Sequence, residues 1–227
     1  MNLYNDVNHL FFYDFLSPYS FLAWMKMAKN PEVFSCERFR PVPIPMGTLI
    51  HSYETKGPAE IPSKRDFLMR SWLRELEREK IKAVLPPQMP FNSLYALRLT
   101  CSTHMEGLEG AKLSLRQKHW NLIDKIFQAC WMHGLDISCE SVLKNILKEV
   151  GLPEQLFDCI SSKELRVEIK SNIKLAQSHG VFGVPTWVID QKEIFWGADC
   201  LSDLISFLQG DDHYNTEIYE KYLKFFT

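Results

Sequence analysis

The chain has 227 residues, of which 46% are hydrophobic and 24% are charged. This composition is typical of a globular protein and excludes disorder as the main state. The 26 basic residues against 28 acidic ones give a net charge of −2, which argues against a protein that binds nucleic acid by neutralising phosphates.

The first residues lack the basic stretch of a secretory signal, and the chain has no run of 18 apolar residues. We therefore expect no signal peptide and no transmembrane helix. The six cysteines form no C-x-x-C pair, so we expect them to be buried, reduced thiols of a cytoplasmic protein. The seven histidines form no metal-ligand pattern, and we expect no metal site.

The first 45 residues predict a β-α-β unit. The apolar and aromatic run of residues 9–15 predicts a buried strand. Ser17-Pro18 predicts the start of a helix over 18–29, because serine caps helix ends and proline is favoured at the first helical position. Residues 33–40 predict a second strand, which the three prolines that follow should end.

The middle of the chain, residues 63–179, shows almost only helical periodicity. Prolines and glycines divide this block into five or six predicted helices. Ser138 and either Ser161 or Ser162 are predicted N-caps.

The last part of the chain returns to mixed α/β character. Residues 184–189 and 193–196 predict two strands, and the short turn at 190–192 joins them as a hairpin. A helix over 201–208 follows, and residues 210–227 form an amphipathic tail.

Without the helical block, the element order is β-α-β-α-β-β-α. This is the order of a thioredoxin-like α/β fold that carries a large all-α insertion. We therefore predict a first thioredoxin-like part over residues 1–45 and a helical insertion over 46–175. The second thioredoxin-like part takes 176–209, and the helical tail takes 210–227.

The residues Ser17-Pro18-Tyr19-Ser20 occupy the place where a thioredoxin-type redox protein holds C-x-x-C. Without these sulfurs the pair cannot exchange disulfides. The helix N-terminus still offers free N–H groups and a partial positive charge, which stabilise a thiolate. Ser17 therefore either donates its hydroxyl to the sulfur of a bound thiol or serves only as a helix cap.

Pro185 begins the predicted strand after Gly183-Val184. In thioredoxin-like folds a cis-proline loop lies opposite the C-x-x-C helix, and the backbone of the residue before the proline pairs with an extended peptide. The alternative is an ordinary turn with a trans proline. The sequence leaves the isomer open.

Several separate motifs are spread from residue 11 to about 208. They include Phe12-Tyr13-Asp14-Phe15-Leu16-Ser17-Pro18, Pro45-Met46-Gly47, Pro90-Phe91-Asn92-Ser93-Leu94, Phe127-Gln128-Ala129-Cys130-Trp131, Gly180–Thr186 and Phe195-Trp196-Gly197-Ala198-Asp199. In their order along the chain these motifs resemble the 2-hydroxychromene-2-carboxylate isomerase and kappa-class glutathione transferase family, a branch of the DsbA-like thioredoxin superfamily. The first ten residues and the tail from Gly210 fall outside the resemblance.

The resemblance implies glutathione as the cofactor. By this likeness Ser17 is the catalytic residue and hydrogen-bonds the glutathione sulfur. Val184, before Pro185, pairs its backbone with the cysteinyl unit. Ala198, through its N–H, and Asp199 hold the γ-glutamyl end.

The resemblance also implies contacts further from the sulfur. Lys64 meets a glutathione carboxylate, and Thr55 stands where the family often has asparagine. Pro18, Tyr19 and Asn92 are placed in the substrate pocket. Each has a structural alternative: Lys64 on a solvated charged helix face, and Asn92 as a helix cap. Asp199 can likewise be only the first-turn acid of the last helix.

The leading functional hypothesis is a glutathione-dependent isomerase of the 2-hydroxychromene-2-carboxylate type, acting on a small aromatic or electrophilic substrate. A kappa-like glutathione transferase is the alternative. A DsbA-like thiol–disulfide oxidoreductase or a non-catalytic thioredoxin-fold binding protein is the second alternative. The family likeness also implies a homodimer.

Overall fold

Four strands form a single mixed sheet in the computed structural model, which describes residues 3–226. The strands lie in the order β2-β1-β3-β4; β1 is parallel to β2 and antiparallel to β3, and β3 and β4 form an antiparallel hairpin. The predicted hairpin is therefore confirmed. The bounds are β1 His9–Tyr13, β2 Phe39–Pro43, β3 Thr186–Ile189 and β4 Glu193–Trp196.

Eleven α-helices surround this sheet within residues 3–226. They are α1 Pro18–Ala28, α2 Met46–His51, α3 Pro62–Glu79, α4 Leu94–Leu99, α5 Ser102–Glu106, α6 Lys112–Trp131, α7 Glu140–Val150, α8 Gln155–Asp158, α9 Lys163–Ser178, α10 Leu201–Leu208 and α11 Thr216–Leu223. A 3-10 turn covers Pro58–Glu60. The predicted α/β order with helices between the two parts of the sheet is confirmed, whereas the residue bounds of the four parts stay a prediction.

Seven helices, α3 to α9, fill the middle block, where we expected five or six. The difference arises from α5 and α8, which have five and four residues. Helices this short cover little more than one turn, so they leave no apolar repeat in the sequence.

The second strand lies further along the chain than predicted. We expected residues 33–40 and took the following prolines as the end of the strand, but β2 includes Pro41 and Pro43. These prolines pair in register with Phe11 and Tyr13 of β1. β2 is an edge strand, where a residue without an N–H can be accommodated because only one side of the strand pairs.

Alternate residues of the strands enter two cores on opposite faces of the sheet. Phe11 and Trp187 face the larger core with α1 and α6, while Phe12 and Val188 face the smaller core with α2 and α9. Trp131 of α6 is fully buried in the larger core. The helical block therefore contributes to both cores, with α6 in the larger one and α9 in the smaller one.

The two ends of the described chain behave differently. Leu3 and Tyr4 are buried, and the Arg116 Nε of α6 donates to the Leu3 carbonyl at 2.7 Å. The tail contains α11, and none of its described residues is buried. No helix within residues 3–226 has the length and apolar character needed to cross a membrane.

The expectation of six buried cysteines is wrong for three of them. Cys36, Cys101 and Cys130 are buried, Cys139 and Cys159 are exposed, and Cys200 is half-buried; all six are free thiols. The exposed pair sits at helix ends, Cys139 as the N-cap of α7 and Cys159 as the C-cap of α8, where side chains face solvent.

The predicted caps are partly correct. Ser162 accepts the Leu165 N–H at 3.3 Å and caps α9, as predicted. Ser138 is not the cap of α7; its hydroxyl instead donates to the Asp136 carboxylate at 2.6 Å.

Candidate functional site

The sheet register brings the Ser17 turn and the Pro185 loop to the same edge. Phe12, next to the end of β1, pairs with Thr186, the first residue of β3. Because the two strands are antiparallel, the turn that leaves β1 and the loop that enters β3 emerge side by side. The sequence predicted these two features separately, and the fold places them together.

Ser17 is the N-cap of α1, as one of the two predicted readings required. Its Oγ accepts the Ser20 N–H at 3.1 Å, and the residue is 4% exposed. The hydroxyl proton has no acceptor among residues 3–226, and neither does the Tyr19 N–H. Pro18 carries no N–H. This helix end therefore keeps two donors free for a ligand.

The Val184–Pro185 peptide bond is cis, which answers the question that the sequence left open. The loop is held on either side of Val184: Thr186 Oγ1 donates to the Gly183 carbonyl at 2.7 Å, and the Gly197 N–H donates to the Pro185 carbonyl at 3.0 Å. Between these bonds, the Val184 N–H and C=O have no backbone partner within the described chain. They are free to pair with an extended ligand.

The turn after β4 carries Ala198 and Asp199. It begins at Gly197, whose φ of +94° suits glycine, and a Cβ there would collide with the Asp199 carboxylate. Ala198 is buried, and its carbonyl accepts from Lys26 Nζ at 3.2 Å. Asp199 is exposed and precedes Cys200, the N-cap of α10. The backbone N–H groups of Ala198 and Asp199 have no acceptor in the described part of the chain.

Tyr19 connects the start of α1 to α3. Its hydroxyl donates to the Leu68 carbonyl at 3.0 Å. Burial raises the pKa of this phenol, and the nearby Asp199 and Glu75 carboxylates raise it further, against a hydrogen bond with Ser71 that lowers it. Tyr19 and Asp199, two predicted site residues from opposite ends of the chain, therefore lie close enough to interact.

Thr55 lies in the loop after α2, and Lys64 lies in the first turn of α3. Thr55 is exposed in the loop after α2, and Tyr53 of the same loop donates its hydroxyl to the Val181 carbonyl at 3.0 Å. Lys64 lies one helical turn before Leu68 of α3, is exposed, and makes no ion pair with any described residue. Both side chains are exposed, and their contacts with a ligand stay a prediction.

Asn92 caps the start of a helix and also lines a cavity. Its Oδ1 accepts the Leu94 N–H at 3.0 Å, which satisfies a free donor at the start of α4. The residue also lines a cavity of about 160 Å³ together with Phe91, Leu135 and Ser138. The helix-cap alternative is thus present, and the substrate-pocket role stays a prediction.

A charged cavity next to Asp199 was not predicted. It has a volume of about 480 Å³ and lies between α1, α3 and the start of α10. Lys26 Nζ lies 3.4 Å from a Glu75 carboxylate oxygen and 3.5 Å from one of Glu79. The two acids are spaced by four residues on one helix, but no local pattern could show that a lysine about 50 residues earlier would pair with them.

Asp14 also lies at the site, and the sequence predicted no role for it. It lies in the family-like motif before Ser17, is buried, and accepts backbone N–H groups from two segments.

Comparison with known sequences is consistent with this geometry. The profile of the DSBA-like thioredoxin domain matches residues 10–209. The chain belongs to the DsbA-like thioredoxin domain family. The predicted family resemblance and the DsbA-like fold are thereby confirmed. Residues 3–9 and the tail after 209 lie outside the matched segment.

Two named enzymes are similar over most of their length. The 2-hydroxychromene-2-carboxylate isomerase of Sphingobium xenophagum is 26% identical over 200 residues, which cover 87% of this chain and 96% of that protein. Glutathione S-transferase kappa 1 of Rattus norvegicus is 21% identical over 216 residues, covering 88% and 89%.

Solved structures show the same fold. A structure of 2-hydroxychromene-2-carboxylate isomerase superimposes with a TM-score of 0.71 at 22% identity, covering 89% of this chain and 94% of the other. The cytosolic disulfide reductase DsbM from Pseudomonas aeruginosa, in a structure with GSH, gives a TM-score of 0.56 at 19% identity, covering 89% and 97%.

Proposed function

We propose that the protein is a glutathione-dependent isomerase of the 2-hydroxychromene-2-carboxylate type. The observation that supports this most is the pairing of two complementary features at one edge of the sheet. Ser17 offers an uncommitted hydroxyl proton at the start of α1, and the cis Val184–Pro185 loop offers a free backbone N–H and C=O. Together they suit a small peptide thiol.

Each residue of the site then has a defined task. Ser17 donates its hydroxyl to the sulfur, and the N-terminus of α1 favours the negative charge there. Val184 pairs its backbone with the cysteinyl unit. Asp199 accepts the γ-glutamyl ammonium, beside the free N–H groups of the same turn. Lys64, in the first turn of α3, and Thr55, in the loop after α2, hold the other end of the ligand.

The bound cofactor supplies a thiolate nucleophile that adds reversibly to an unsaturated aromatic acid. The protein lowers the cost of forming that nucleophile through Ser17 and orients the partner against it. Pro18, Tyr19 and Asn92 are proposed to line the space for the aromatic substrate. No protein sulfur enters the reaction, because the site carries hydroxyls where redox relatives carry cysteines.

A kappa-like glutathione transferase is the second candidate, favoured by the similarity to the rat enzyme. It uses the same thiolate but retains the carbon–sulfur bond in the product. The homodimer that the family likeness implies is also a proposal, which light scattering on the purified protein measures directly.

Two measurements test the proposal. Reduced glutathione should bind in a calorimetric titration and should raise the Tm, with a stabilisation of about 2.7 kcal/mol at a hundredfold excess over Kd. Paired assays with a chromene acid and with a chloronitroaromatic acceptor then separate isomerase from transferase. No binding at several millimolar glutathione contradicts both, and reduction of insulin would instead indicate an oxidoreductase.

A further inference from the structure

A buried carboxylate lies under the turn that carries Ser17. Asp14 is 2% exposed. Its Oδ1 accepts the Leu16 N–H at 3.0 Å, and its Oδ2 accepts the N–H of Met46, the first residue of α2, at 2.9 Å. The Ser93 hydroxyl, at the start of α4, lies near the same carboxyl and acts to lower its pKa.

The charge of Asp14 has no cationic partner. Among residues 3–226, none of the ion pairs includes it. Burial raises the pKa of Asp14, and the donors from Leu16, Met46 and Ser93 act in the opposite direction. A buried carboxylate without a cation is costly unless its oxygens are fully hydrogen-bonded. N–H and O–H dipoles from three separate segments meet that requirement here.

Further hydrogen bonds hold the backbone of this turn, from Asp14 itself and from α6. The Ser17 N–H donates to the Asp14 carbonyl at 3.0 Å, so side chain and backbone of one residue hold Leu16 and Ser17. The Trp131 indole of α6 donates to the Phe15 carbonyl at 2.9 Å. The backbone that carries Ser17 is therefore held by Asp14 and, through Phe15, by the helical block.

We propose that Asp14 is a positioning residue that aims the Ser17 hydroxyl at the glutathione sulfur, an inference that rests on the proposed function. Asp14 does not touch the ligand and acts through the backbone of residues 16 and 17. A carboxylate suits this task because both of its oxygens accept hydrogen bonds. An asparagine has one acceptor, and its NH2 group would face the N–H of Leu16 or of Met46.

The test is the ultraviolet titration of glutathione thiolate bound to the parent, Asp14→Asn, Ser17→Ala and the double variant. Asp14→Asn should move the thiol titration to higher pH, in the same direction as Ser17→Ala and by up to about one pH unit. In the Ser17→Ala background it should add no further shift, because its effect passes through the lost hydroxyl.

Glu168 offers a matched control. Its carboxylate also accepts two backbone N–H groups, from Ser102 at 2.8 Å and Thr103 at 3.0 Å, and the Ser102 hydroxyl at 2.9 Å. Glu168→Gln should lower the Tm and leave the pH at which the bound thiol titrates unchanged. If Asp14→Asn does not fold, Ser93→Ala removes a single donor and should give a smaller shift to higher pH.

The outcomes separate this inference from the proposed function. A parent without a bound-thiolate signal overturns both. A parent that shows the signal, with an unmoved curve in Asp14→Asn, overturns the positioning role alone. A shift to lower pH means that the Asp14 charge acts directly on the sulfur, and additive shifts in the double variant mean that the two residues act independently. Either result overturns the inference.

Discussion

Ser17 combines two roles that the sequence presents as alternatives. Its oxygen accepts the Ser20 N–H and so caps α1, while its proton remains free to donate. A hydroxyl is both an acceptor and a donor, so capping does not prevent catalysis. The two roles are separable because one affects folding and the other affects a bound sulfur.

Replacing Ser17 by alanine should lower stability by about 1 kcal/mol through loss of the cap. It should also raise the pKa of the bound glutathione thiol, because a hydrogen bond to the charged form favours that form. The rate at neutral pH then falls and its profile moves to higher pH. Ser162→Ala, which removes a similar cap on α9, should lower stability only. Coincident thiol titrations for the parent and Ser17→Ala would show that Ser17 is only a cap.

Asp199 provides the second test at this scale. Asp199→Ala should weaken glutathione binding by about 1.5–3 kcal/mol, the value of a charge-assisted hydrogen bond. Folding should change little because the side chain is exposed. Asp203→Ala, an exposed acid on the first turn of α10, serves as the control in the same titration calorimetry. Equal affinities for parent and Asp199→Ala would make Asp199 an acid at a helix end and nothing more.

At the level of elements, hydrogen bonds hold segments from distant parts of the chain together at one edge of the sheet. Tyr19 joins α1 to α3, Tyr53 joins the Thr55 loop to the segment before Pro185, and Gly197 joins the β4 turn to Pro185 itself. Binding groups on loops are effective when rigid elements hold them in this way. Displacing one of these segments should therefore weaken ligand binding more than it lowers the stability of the fold.

Gly183 is the sharpest place to test this. A Cβ there would lie 2.8 Å from Trp196 Nε1, too close for a rigid indole to stay in place. Gly183→Ala should displace the cis-proline loop and weaken glutathione binding, measured by calorimetry. In Gly47→Ala of α2 a Cβ meets nothing within 4 Å, so stability should rise by about 0.5–1 kcal/mol with binding unchanged. Parent-like affinity in Gly183→Ala would show that the loop does not contact the ligand.

The elements that the sequence predicted well are those with local signals. Ser17-Pro18 marks the start of α1, and alternating apolar residues around a short turn mark the β3–β4 hairpin. β2 was misplaced because its prolines are tolerated only by its position at the edge of the sheet, which a local pattern does not contain. The contacts of Asp14 with Met46 and Ser93 depend on tertiary packing in the same way.

At the scale of the whole molecule, the insertion and the sheet are joined by buried contacts. Phe15 and Phe127 lie 4.6 Å apart between ring centroids, and Phe21 and Trp131 lie 6.1 Å apart. A polar chain crosses the same core. The Tyr4 hydroxyl lies 2.9 Å from His119 Nδ1, and His119 Nε2 lies 2.8 Å from the Thr100 carbonyl. Partners about 20 to 115 residues apart could not be identified from sequence alone.

This buried chain fixes the tautomer of neutral His119. The Thr100 carbonyl can only accept, so Nε2 carries a proton, and in the neutral ring Nδ1 then accepts from the Tyr4 hydroxyl. Burial lowers the pKa of His119 to about 4, and burial likewise lowers the pKa of His104 to about 4. Both imidazole nitrogens of His104 are buried without a hydrogen-bond partner within the described chain. Both histidines are therefore neutral in the folded protein at neutral pH.

The free energy of unfolding should consequently fall as the pH drops from about 6.5 to 4. In this window the unfolded chain binds protons at both histidines while the folded chain does not, so acid favours unfolding. Each histidine contributes a limiting slope of about 1.4 kcal/mol per pH unit, and the loss levels off below the folded pKa.

Other titratable groups also change the free energy of unfolding with pH, so the informative quantity is the difference between parent and variant. His104→Phe removes one buried imidazole without breaking a hydrogen bond, and urea unfolding at several pH values between 7.5 and 4 should show a shallower decline by up to that amount. Parallel curves for parent and His104→Phe would show that His104 gains its proton as readily in the folded chain as in the unfolded one.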